Sequence, residues 1–223
     1  DEAERAFQTA INMRPDHYEG HQRLGYLYTL IGRFDAAANQ FRQAARASPK
    51  YADPLLNLGA VLYYLERREE AKQAFEEALT LGSHPNAYSN LGTLYFEEGR
   101  FGDAVEMFER ALAEAGEDLR EDDYSLVGNL ASAQYWAGDR ETARFTFERA
   151  IGLTEEYVTN NTSDNWAKVN LAAYFGMVGR YDRGLSLLKT TKQWKIEDPH
   201  LLGSIAEAFM DNVPLVVLAC GIR

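Results

Sequence analysis

Leu24-Gly25-Tyr26-Leu27-Tyr28 opens a pattern that continues with Ala37, Phe41, Ala44 and Pro49, and this stretch decides the fold. Thirty-four residues on it returns as Leu58-Gly59-x-x-Leu62, Ala71, Phe75 and Ala78. Another 33 residues bring Leu91-Gly92-x-x-Tyr95, Ala104, Phe108 and Ala111. A fourth copy is Leu130-Ala131, Ala143, Phe147 and Ala150, and a fifth, weaker one is Leu171-Ala172-x-x-Phe175, Gly184 and Leu188. Ile205-Ala206-x-x-Phe209 begins a sixth, and Ala3, Phe7, Ala10 and Pro15 form half a copy ahead of them all. Self-similarity at such a period is the signature of stacked supersecondary units.

The spacing has a physical reason. In each unit, residues at i, i+1 and i+4 fall on one face of a first helix, A, and the Ala, Phe and Ala positions form one stripe on a second helix, B. The small Gly or Ala on helix A is expected to let the two axes approach, with Phe filling the gap. Gly-Arg-Phe at 32–34 and 99–101 and Gly-Asp-Arg at 138–140 mark the turn from A to B, where glycine supplies a left-handed C-cap. Pro15, Pro49, Pro85 and Pro199 stand between units, where a helix must stop or start.

This pattern resembles the tetratricopeptide (TPR) family along essentially the whole chain. The resemblance implies an all-α fold, a right-handed α-solenoid of helix-turn-helix units with A helices lining a concave face. About five full repeats are expected at 18–51, 52–84, 85–123, 124–164 and 165–198, with a half repeat at 1–17 and a partial one at 199–223, as a single array. The spacings from Leu91 to Leu130 and from Leu130 to Leu171 exceed the period, which predicts longer B helices plus loops across 115–123 and 152–164. Asn129-Leu130-Ala131, Tyr135-Trp136 and Gly138-Asp139-Arg140 before a lengthened B helix also resemble TPR tails of bacterial signalling proteins, which follow kinase, cyclase or DNA-binding domains.

The formal net charge of −11 repels phosphate backbones and anionic lipid, so nucleic acid is a poor partner and a basic or neutral protein a better one. No run approaches the roughly 18 apolar residues of a membrane span. The single cysteine, Cys220, forms no intrachain disulfide and suits a reducing, cytoplasmic location. The apolar run from Pro214 to Ile222 and the unpartnered stripe at the N-terminus favour self-association.

Counted from Tyr18, Ala52, Pro85, Tyr124 and Asn165, the sixth position of each unit is Arg23, Asn57, Asn90, Asn129 and Asn170. An asparagine amide is both donor and acceptor and can pair with the main chain of an extended peptide whatever its side chains. These asparagines resemble those in the grooves of O-linked sugar transferases and chaperone-binding TPR domains. Tyr26, Tyr63, Tyr64, Phe96, Tyr135 and Trp136 flank them as candidate binding anchors, with packing between A helices as the alternative role. Tyr28, Tyr95, Phe41, Phe75 and Phe108 are core positions. The lysines of a two-carboxylate clamp are absent: its positions hold Glu19, Asp53, Asn86, Ser125 and Trp166.

Little else points to chemistry. His17 and His21 are four apart, but no further metal ligand accompanies them. No phosphate loop, nucleophile elbow or dinucleotide fingerprint occurs, so no enzyme activity, metal or cofactor is expected. Asn160-x-Thr162 and Asn161-x-Ser163 match glycosylation acceptors, relevant only in a secretory compartment. The reading is a scaffold that holds an extended segment of another protein in its groove. The alternative is a regulatory or oligomerisation segment of a larger bacterial signalling protein, acting through its ends or convex face.

Overall fold

The computed structural model describes residues 2–14, 17–116 and 123–190. Among these there are eleven helices: α1 (Glu2–Met13), α2 (Tyr18–Leu30), α3 (Phe34–Ala47), α4 (Asp53–Tyr64), α5 (Arg68–Thr80), α6 (Pro85–Glu97), α7 (Phe101–Ala115), α8 (Tyr124–Trp136), α9 (Arg140–Asn160), α10 (Asn165–Met177) and α11 (Tyr181–Leu188). Even-numbered helices are the A helices and odd-numbered ones the B helices. They gather into two compact units divided between Leu94 and Tyr95. Several sequence expectations lie outside the described residues: Pro15, Pro199, the sixth copy at Ile205, Cys220 and the apolar run from Pro214 to Ile222.

Five A-to-B turns are built alike. Gly32, Gly99, Gly138 and Gly179 take φ of 74, 74, 98 and 81°, and at the second turn Glu66 does the same at 58°. The residue after each sends its N–H five residues back, as Arg33 does to Tyr28 (2.8 Å), Arg67 to Leu62 (2.9 Å) and Arg180 to Phe175 (2.7 Å). This closure satisfies carbonyls that a helix end otherwise leaves open. Glu66 does the work of glycine with a Cβ, a conformation that costs roughly 1–2 kcal/mol in an L-residue.

In the first unit, consecutive helices from α1 to α5 pack each on the next. Leu24, Ala37, Phe41, Ala44, Leu62, Ala71, Phe75 and Ala78 are at most 1% exposed. A Cβ on Gly25 would lie 2.7 Å from Cε1 of Phe41, and one on Gly59 would lie 2.5 Å from Cε1 of Phe75. The expectation that phenylalanine fills the gap beside the small residue of helix A holds at both glycines. The space each leaves is taken by the phenylalanine ring of its own repeat. Tyr28 ties α1 to this unit, its hydroxyl donating to Glu4 Oε1 at 2.7 Å, with Arg33 Nη1 at 3.3 Å from the same oxygen.

In the second unit, two core clusters meet at Leu112. One centres on Phe96, Phe108 and Leu130, the other on Phe147, Leu171, Tyr174 and Phe175. The long helix α9 extends through Asn160, so 152–160 is helix and only Asn161 to Asp164 turns into α10. For the other lengthened stretch, α7 ends at Ala115, Gly116 caps it with φ 91°, and 117–122 lie outside the described residues. Asp139 and Asp164 are N-caps, their carboxylates accepting from the N–H of Thr142 (3.1 Å) and Ala167 (3.0 Å). Buried polar groups here are bonded: Thr146 donates to Gln134 Oε1 at 2.8 Å and Ser132 to the Gly128 carbonyl at 2.9 Å.

Candidate functional site: the A-helix faces

In the first unit the arrangement starts from Gly25. The ring of Phe41 fills the room beside it, and the ring of Tyr26 stands edge-on to Phe41 with centroids 5.5 Å apart at 77°. The Tyr26 hydroxyl then accepts from Asn57 Nδ2 at 2.8 Å, and Gln22 Nε2 lies 3.4 Å away. Tyr26 remains 45% exposed. A large ring, fixed at its edge and at its hydroxyl, thus faces solvent with little rotamer freedom left to lose on binding. Arg23 is exposed one turn before it, and Asn90 on α6 is half-buried with no side-chain hydrogen bond among the described residues.

Tyr63 and Tyr64 end α4. Tyr63 is half-buried beneath the Arg68 guanidinium, 5.9 Å from its ring centre. Tyr64 is 57% exposed but stacks flat on Phe34, the first residue of α3, at 5.5 Å and 10°. In the second unit Trp136 stacks on Phe101, the first residue of α7, at 5.8 Å and 28°. The last residue of one A helix therefore seats on the first residue of the preceding B helix in both places. Tyr64 and Trp136 tie repeat to repeat at the turn edge. Tyr135 stands edge-on to Trp136 and under the Arg140 guanidinium, at 5.2 Å.

Phe96 corrects the sequence reading. It is 4% exposed and belongs to the core with Phe108 and Leu130, so it offers no ligand surface. The register that puts Tyr63 and Tyr135 at the helix edge is the same, but Phe96 packs edge-on to Phe101 at 5.2 Å and is buried there.

The asparagines of the sixth position divide into two kinds. Asn57 is committed to Tyr26, and Asn170 shares a hydrogen bond with the Tyr124 hydroxyl. Burial, reinforced by the Asp164 carboxylate, pushes the Tyr124 phenol up to about 12, against the Asn170 contact that works the other way. Asn129, half-buried on α8, makes no side-chain hydrogen bond among the described residues. All four asparagines are half-buried, so local bonding has not removed any of them from the surface.

A regular feature escaped the reading of the sequence. Arg33 over Tyr28 (4.6 Å), Arg68 over Tyr63, Arg100 over Tyr95 (4.2 Å) and Arg140 over Tyr135 place a guanidinium on an aromatic face five residues earlier at four turns. The Tyr-x-x-x-x-Arg spacing was available as a signal, because each turn folds the chain back over the end of helix A. As for metals, His21 Nδ1 lies 2.9 Å from Gln40 Oε1 and His17 stacks on Tyr18. No group of three His, Cys, Asp or Glu residues suited to a metal ion occurs among the described residues. None of the described helices is long and apolar enough to cross a membrane.

Comparison with known proteins agrees with the repeat fold. A TPR-repeat family model matches residues 25–66 and a tetratricopeptide-repeat model matches 56–118. BBSome complex member BBS4 of Bos taurus is 26% identical over 93% of this chain and 38% of its own length. Anaphase-promoting complex subunit 7 of Arabidopsis thaliana is 35% identical over 51% of this chain and 20% of its own length. The chain thus spans a minor part of these relatives. Among solved structures, the Cut9 and Hcn1 hetero-tetramer of the APC/C aligns with a TM-score of 0.68 at 17% identity, covering 94% of this chain and 39% of that one. YrrB, described as a TPR protein with an unusual peptide-binding site, aligns at 0.60 and 19% identity, over 91% of this chain and 97% of that one.

Proposed function

We propose that this chain, a tetratricopeptide-repeat protein, is a scaffold for another protein and holds an extended segment of that partner along its A-helix faces. The observation that carries the reading is the presentation of Tyr26, a half-exposed ring fixed by Phe41 and Asn57, beside amides at one register of successive A helices. The ring supplies an apolar anchor of the kind that concentrates binding energy. Within the first unit, Asn90 supplies a further amide that can pair with main-chain N–H and C=O groups. Relatives named as members of the BBSome and of the anaphase-promoting complex, and a peptide-binding neighbour in fold, lend support.

The test is selection of peptides from a random library on the purified chain, followed by titration against variants. Tyr26→Ala and Asn90→Ala are expected to weaken a selected peptide at least tenfold, about 1.4 kcal/mol or more, with the fold intact by circular dichroism. A peptide whose affinity ignores both changes would place its site elsewhere and remove the groove reading.

A further inference from the structure

On the side of the first unit formed by its B helices, a cleft of about 320 Å³ opens between α3, the loop at Pro49, α4 and α5. Its origin lies in one residue. Four positions after the core phenylalanine of helix B, the half repeat has Ile11, the second repeat Leu79, the third Leu112 and the fourth Ile151. The side chains of Ile11, Leu112 and Ile151 pack toward the A helix that follows. Ile11 is 7% exposed and its Cγ1 sits where a Cβ on Gly20 would come within 2.9 Å. Leu112 packs into both clusters of the second unit, and Ile151 is 2% exposed. The first full repeat alone among these has alanine, Ala45. The space a leucine would occupy is the cleft, walled by Pro49, Leu55 and Leu58.

The charge at this place is reversed as well. The position just after the core phenylalanine is Glu76, Glu109 and Glu148 in the later repeats but Arg42 here, and one turn on Arg46 stands where they have Thr80, Ala113 and Gly152. Arg42 is held by Glu70 at 3.2 Å. Arg46 lines the cleft and enters no ion pair among the described residues. On a chain of net charge −11, a guanidinium beside a cleft with Pro49, Leu55 and Leu58 in its wall is a local inversion. Glu77 on the opposite wall disfavours an anion on the α5 side, so a carboxylate is received on the α3 side.

We propose that this cleft is a second docking site, separate from the A-helix face, for a partner segment in which a large aliphatic side chain adjoins a carboxylate. The aliphatic group takes the place of the leucine that Ala45 lacks and covers Leu55, Leu58 and Pro49. The carboxylate pairs with Arg46, whose planar fork suits it. Restoring the missing side chain closes the site from within.

The probe is a fluorescein-labelled, blocked glycine peptide carrying one leucine beside one glutamate, made in both orders and followed by anisotropy. One of the two orders is expected to bind the wild-type chain, and replacing its glutamate by lysine or its leucine by alanine weakens it at least tenfold. Ala45→Leu and Arg46→Glu each produce the same loss, whereas Tyr26→Ala leaves the affinity unchanged. Ala45→Leu also raises the melting temperature by about 2–4 °C, since it fills a cavity, so its loss of binding is not a loss of fold. The proposal is overturned if neither order binds, if the lysine peptide binds as well, or if Ala45→Leu binds like the wild type. Self-association without peptide that Ala45→Leu abolishes would assign the cleft to a second copy of the chain and overturn it too.

Discussion

The side-chain amide of Asn57 donates to the hydroxyl of Tyr26, 31 residues earlier, at 2.8 Å. One member of the asparagine register therefore has a partner within the protein, the ring of Tyr26. If the proposed groove binds a peptide, its affinity divides into what touches the peptide and what positions the toucher. Tyr26→Phe removes the same hydrogen bond as Asn57→Ala. Each is expected to weaken a groove peptide by about three- to tenfold, on the order of 1 kcal/mol, the net worth of one such bond. The double variant is expected to be no worse than either single one. Direct contact between Asn57 and the peptide gives a different result in titration calorimetry: Tyr26→Phe would then bind normally and Asn57→Ala would not.

Gly128 and Tyr174 form a second dependent pair. The phenol of Tyr174, 4% exposed, has its Oη and Cζ in the place where any Cβ at position 128 would stand. Gly128→Ala must displace a packed aromatic ring and is expected to cost about 1–3 kcal/mol, as overpacking does. Tyr174→Phe restores only part of this, because the ring carbon still occupies the space. Urea denaturation of the two single variants and the double variant measures both statements.

Glu66 sits alone among the A-to-B turns in using a Cβ-bearing residue at positive φ, 58° against 74–98° for the four glycines. Glu66→Gly removes that strain and gives some of it back as chain entropy in the unfolded state. A net stabilisation of about 0.5–1 kcal/mol is expected, read as a higher midpoint in urea. The corresponding change in the other direction, Gly32→Ala, is expected to destabilise by a similar amount.

Acid sensitivity follows from Glu4 and Glu70. The Tyr28 hydroxyl, and then Arg33, hold the Glu4 carboxyl below its ordinary value, and Arg67, then Arg42, do the same for Glu70. A depressed carboxylate contributes stability that is present above its unfolded pKa and is lost as pH falls through the folded one. The melting temperature is therefore expected to be flat above about pH 5 and to fall as pH drops below the ordinary glutamate value of about 4.3. Glu4→Gln shortens that fall and lowers the plateau, and thermal scans at stepped pH between about 6 and 3 show whether it does.

The sequence by itself determined the repeat, because its signals are local. Leu24, Gly25 and Tyr28 on one helix face, and Ala37, Phe41 and Ala44 on the next, are fixed by the helical period, and the turn glycines by the left-handed cap. It also determined which residues stand at one register of successive A helices, since register is a count along the chain. What those residues do there depended on helices distant in sequence. Phe96 shares its register with Tyr63 and Tyr135 yet is buried, Asn57 and Asn170 are bonded to tyrosines of the preceding repeat, and Asn90 and Asn129 are not. Glycine was legible as small, with phenylalanine as its filler, but only the fold decided that the ring of Tyr174 occupies the room beside Gly128. The departure at Ala45 stood in the sequence as one alanine among many. It became a cleft only once the fold showed that this position faces the next repeat, because a missing side chain opens space only where its neighbours would have enclosed it.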